Sequence, residues 1–150
     1  MAERTYTTRR LGIVNALVEK LKLIDGQNSY LTNLYENVSP RLKFWDEVEE
    51  FPAVHLNAGS ETREYQGGGY KDRFLSITLR CYVHEEDATK ALDELLEDIE
   101  TVLEDNSRLS YIDKTGATQY TQQITIVSID TDEGVLEPLG VGEMLIEVRY

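Results

Sequence analysis

Residues 73–84 carry the pattern that most restricts what this chain can become. Leu75, Ile77, Leu79, Cys81 and Val83 alternate with Ser76, Thr78, Arg80 and Tyr82. A period of two puts the first set on one face of a β-strand. A sheet built around such a strand has an apolar face that another layer must cover.

Two amphipathic segments can supply that layer. Over 8–24, Leu11, Val14, Leu17, Val18, Leu21 and Ile24 recur at steps of three and four, with Thr7 or Thr8 as cap and Asp25-Gly26 as stop. Over 87–104, Ala88, Ala91, Leu92, Leu95, Ile99, Val102 and Leu103 form a second stripe. Further strands are expected at 51–57, 124–129 and 142–150, and an extended segment at 29–38. Two polar stretches, 59–72 and 110–121, read as hairpin loops, and 131–134 as a turn. The expected fold is α+β: one domain over 1–150, a single mixed or antiparallel sheet, two helices packed on one face, and long hairpin loops.

Composition narrows the function classes. The formal net charge is −13, which opposes phosphate binding, because nucleic-acid affinity comes largely from Lys and Arg. Within 85–105, ten acids stand against Lys90 alone. A solvated helix face explains such a run; a surface that repels DNA or meets a basic partner is the sharper reading. No apolar run approaches the roughly 20 residues of a membrane span. The first six residues lack the apolar core of a secretory signal. The single cysteine excludes an internal disulfide.

The search for chemistry returns nothing specific. His55 and His84 lack a second ligand at metal spacing. Cys81 belongs to the apolar face, as a buried small hydrophobe. Gly67-Gly68-Gly69-Tyr70-Lys71 lacks the Lys-Ser/Thr pair of a phosphate loop and precedes a strand, not a helix. Asp130-Thr131-Asp132-Glu133-Gly134 places glycine where a calcium loop wants its next acid. The acids of the second helix have no apolar pocket to separate their pKa values. No enzyme activity and no cofactor are expected.

The order of several blocks is more telling. These are Tyr30…Asn33-Leu34-Tyr35…Asn37-Val38-Ser39, then Phe51-Pro52-Ala53-Val54 with Gly59-Ser60-Glu61-Thr62. Glu97-Asp98-Ile99 follows. The last block is Ser128-Ile129…Thr131-Asp132-Glu133-Gly134…Pro138-Leu139-Gly140…Gly142-Glu143, with the closing Val148-Arg149-Tyr150. In this order the chain resembles the tail terminator (tail completion, head-to-tail joining) proteins of long-tailed bacteriophages. The resemblance implies a virion protein at the head-proximal end of the tail, made in the host cytoplasm. It implies a homohexameric ring that caps the tail tube protein, stops tube growth and offers the head-completion or connector protein its docking surface. Genomic DNA would pass through the ring without sequence-specific binding. Two alternatives stay open: another ring-forming neck or tail-end adaptor, and a small non-viral α+β binding domain.

Under that reading the polar loops become the candidate ring and partner interface: Glu61, Arg63, Glu64, Tyr65, Tyr70 and Lys71 in the first, Tyr111, Asp113 and Lys114 in the second. Tyr and Arg are the residue types that anchor interfaces. Glu61, Glu64, Glu97 and Asp98 are the candidate acids facing a DNA channel.

Overall fold

The structure, a computed structural model, describes residues 8–44 and 46–150. The alternative cap Thr7 and the N-terminal segment 1–6 lie outside the described residues. Helix α1 spans Arg9–Leu21; Thr8 caps it by accepting from the Leu11 N–H. Helix α2 spans Ala88–Asp105, capped by Asp87. The strands are β1 Val38–Ser39, β2 Ala53–Tyr65, β3 Lys71–His84, β4 Ser110–Ile112, β5 Thr118–Tyr120, β6 Gln123–Thr131 and β7 Leu139–Arg149.

Five strands form one sheet in the order β1-β2-β3-β7-β6, and β4-β5 form a separate small hairpin. Only the β1–β2 pair is parallel. β3 sits at the centre of the sheet, and its alternation dictates the layers. Leu75, Ile77, Leu79 and Cys81 are fully buried with Ile13, Leu17 and Leu21 of α1 and Leu92, Leu95 and Ile99 of α2. Both helices therefore cover the same sheet face, as the sequence predicts. Burial pushes the Cys81 thiol up to about 12, so it stays protonated. Leu11, expected in the α1 stripe, is exposed instead.

The opposite face of β3 is mostly half-buried. A strap over residues 40–44 and 46–50 covers one end. Val48 packs with Ala53 and Tyr82 there. The Tyr82 hydroxyl donates to the Lys43 carbonyl, and His55 Nδ1 lies 3.1 Å from the Arg41 carbonyl.

Three expectations need correction. The 110–121 stretch is not all loop, because β4 and β5 pair across it and leave only a turn at 113–117. The 29–38 segment is not extended; only Val38–Ser39 joins the sheet. Tyr35 and Glu36 adopt left-handed backbone, at φ 49° and 62°, and the Asn33 side chain accepts from the Tyr35 N–H in a local turn. The 59–72 stretch is not a loop. β2 and β3 stay paired out to Tyr65↔Lys71, leaving a tip of residues 66–70 closed by the Gln66 N–H to the Tyr70 carbonyl at 2.7 Å. Water reaches both faces of this ribbon, so no alternation of apolar residues marks it in the sequence.

Glycine permits two tight approaches. A Cβ at Gly12 would lie 2.8 Å from the Ile112 carbonyl, where α1 meets β4. A Cβ at Gly140 would lie 2.7 Å from Val83 Cγ2 and 3.2 Å from the Ala88 carbonyl, where β7 passes the start of α2. Gly140→Ala is therefore expected to cost about 1–3 kcal/mol in denaturant unfolding. Gly67→Ala, with open space around it, is expected to stay within about 0.5 kcal/mol.

Candidate functional site

The site residues expected from sequence separate into two groups. One is built into the fold. Asp98 is 2% exposed, although the acidic run around it faces solvent. Its carboxylate accepts from the Leu31 N–H at 3.0 Å, the Thr32 N–H at 2.7 Å and the Thr32 hydroxyl at 2.5 Å. It ties the 31–32 turn to α2 and faces no channel. Asp113 is also buried and accepts from the Thr115 hydroxyl and N–H, the Ala117 N–H and the Gln119 amide. Those bonds, the Thr115 hydroxyl first, hold its carboxyl below the ordinary range. It shapes the β4–β5 turn. Tyr111 is buried in the core, edge-on to Tyr150 with ring centroids 6.3 Å apart, and burial raises its hydroxyl pKa.

Glu61 belongs to this group as well. Its side chain is nearly covered and pairs with Arg63 at 2.8 Å, while the Tyr150 hydroxyl donates to its other oxygen. Burial pushes the Glu61 carboxyl up. Hydrogen bonds from Tyr150 and Arg63, with the nearby charges of Arg63 and Arg10, outweigh that and leave it below its ordinary value. Its charge is spent inside the protein. Burial and this same contact push the Tyr150 hydroxyl up to about 12. The sequence offers no spacing signal for the Glu61–Tyr150 pair, whose members stand 89 positions apart.

The second group is exposed, and most of it comes together on one feature. The β2–β3 ribbon projects as an arm, with Tyr65 73% and Tyr70 76% exposed at its end. Cross-strand partners share a face. Arg63↔Arg73 and Tyr65↔Lys71 are direct partners, and strand alternation puts all four on one face. Glu64↔Asp72 occupy the other face, and Arg149 reaches Asp72 at 3.0 Å. Lys114 is exposed in the separate β4–β5 hairpin. On α2, Glu97 is exposed, as are Glu100 and Glu104 further along.

The exposed groupings present charged and aromatic side chains to solvent. They form surfaces, so the site is one of contact. The comparisons agree with this. The bacteriophage tail tube terminator protein family matches residues 7–150. The chain belongs to this family. It is thus a structural protein of a phage virion, located in the tail, and the alternatives of a different neck adaptor or a non-viral binding domain fall away.

Among this terminator's relatives is the tail tube terminator protein p142 of Escherichia phage T5, 35% identical over 149 residues, covering 94% of this chain and 92% of that one. Among solved structures, a chain in the virion of a native gene transfer agent particle superposes with a TM-score of 0.60 at 8% identity, covering 95% of this chain and 98% of that one. At that identity the likeness concerns the fold alone.

Neighbouring acids on α2 separate the two groups experimentally. Asp98→Ala is expected to cost about 1–3 kcal/mol, because it takes the buried carboxylate from the Leu31 and Thr32 donors. Glu97→Ala is expected to cost less than about 0.5 kcal/mol. Urea unfolding of both variants checks the pair.

Proposed function

We propose that this terminator closes into a homohexameric ring on the last ring of the tail tube, stops tube growth there, and presents the surface to which the head's connector docks. Membership in the terminator family over residues 7–150 carries this reading. Head-to-tail contacts either close into a ring or run on as a filament, and a cap has to close. A net charge of −13 opposes self-association of the free protein. In this reading the free chain is monomeric and contact with the tube drives closure. Genomic DNA passes through the ring unread. Exposed acids at the lumen keep it from sticking; Glu64 and Glu97 remain candidates for that role, Glu61 and Asp98 do not.

Phage unable to make the protein are expected to assemble overlong tails that stay separate from filled heads. Electron micrographs showing tails of normal length joined to heads would overturn the proposal. The arm is the element proposed to make contact. Replacing 64–72 with a tight Asn-Gly turn between the partners Arg63 and Arg73 is expected to leave the melting temperature of the free protein within a few degrees, since little apolar area is lost. Phage carrying the change are expected to show the tail defects of the null. Normal tails and normal joining in that variant would remove the arm from the assembly surface.

A further inference from the structure

The arm is not built for its own stability. A two-stranded ribbon with both faces in water is marginal by itself, and like charges directly opposite one another destabilise a strand pair. Here Arg63 faces Arg73, and Glu64 faces Asp72. One face of the ribbon gathers Arg63, Arg73, Lys71 and the exposed Tyr65. Its one acid, Glu61, lies at the base and is already engaged by Arg63 and Tyr150. Lys71 and Arg73 form no ion pair among the described residues. A basic, aromatic face of this kind fits an acidic surface with an apolar floor.

The chain carries such a surface at the far edge of its own sheet. β6 is an edge strand that pairs only with β7. Between β6 and the last turns of α2 lies a groove of about 280 Å³, lined by Glu100, Leu103, Glu104, Ile124, Thr125 and Ile126. Half-buried Ile126, packed on buried Leu103 and Ile124, gives the apolar floor, and exposed Glu100 and Glu104 form the rim. Neither rim carboxylate forms an ion pair among the described residues. Groove and arm base lie at the same end of the sheet: β6 begins opposite the end of β7, which lies opposite the start of β3, through Gln123↔Arg149 and Phe74↔Arg149.

We propose that the Arg63–Tyr65–Lys71–Arg73 face of the arm seats in the α2–β6 groove of the next copy of this chain. Tyr65 covers the apolar floor and Lys71 meets Glu100 and Glu104, while Arg63 stays with Glu61 and Arg73 over the Tyr150 ring. The donor element extends from the β2–β3 side of the sheet and the acceptor lies at the β6 edge. The contact is therefore heterologous and repeats from copy to copy around a ring. Opposite charge draws together two copies that their overall charge keeps apart. This inference rests on the ring reading above and supplies its contact.

The test uses tails isolated from phage carrying Gln66→Cys together with Thr125→Cys, treated with a short bismaleimide. Both positions are exposed, and Cys81 is buried. The expected result is a ladder of covalent oligomers of this chain, absent from either single variant. Lys71→Glu should lower the linked fraction about tenfold, and adding Glu104→Lys should restore it. A ring visible on the tails by electron microscopy, without intercopy links, overturns the proposed seat and leaves the ring standing. Links that Lys71→Glu does not reduce overturn the charge pairing. Tails with no ring overturn the reading on which the proposal rests.

Discussion

β3 pairs with a neighbour on each side and buries one of its faces completely, and the other elements take their positions from that fact. Leu75, Ile77, Leu79 and Cys81 need an apolar cover wider than one helix gives, so α1 and α2 lie side by side on the same layer. β7 can pass under the start of α2 only because Gly140 and Gly142 keep the approach short. β2 must follow β3 along its length, and where the two outrun the helices they continue together as the arm. The stable body and its protruding arm are thus two parts of one strand pair, one covered and one not.

That division explains what the sequence discloses. Wherever one face is buried, side-chain periodicity records it: the alternation at 75–83 and the stripes of the two helices identify the layers and the side on which they pack. The arm leaves no such record, because its backbone pairing is independent of whether Glu64 or Tyr65 faces water. The 29–38 segment, rich in Tyr, Leu and Val, reads as extended from composition alone. Its course is set from a distance by Asp98, which takes the Leu31 and Thr32 donors across 67 and 66 positions of the chain. A side chain that acts on a remote backbone is invisible to periodicity.

The same limit governs the candidate site. Charge and aromatic content mark Arg63, Tyr65, Tyr70 and Lys71, and all are exposed on the arm. They also mark Glu61, Asp98, Tyr111 and Asp113, which the fold uses internally. In a chain with 28 acidic residues, an acid within a charged run carries no sign of its own burial. Only its partners distinguish Asp98 from Glu97. Membership in the terminator family gives these surfaces a purpose. Under the proposed function the chain needs faces that keep free copies apart and bind once presented in a ring. An acidic body with a locally basic, aromatic arm meets both needs.

Cryo-electron microscopy of assembled tails, reconstructed at the head-proximal end without imposed symmetry, would reveal how many copies cap the tube. The account predicts one six-membered ring of this chain on the last ring of tube protein, with each arm lying against its neighbour. A single copy at that position, a ring of another number, or a ring at the distal tip of the tail would contradict it.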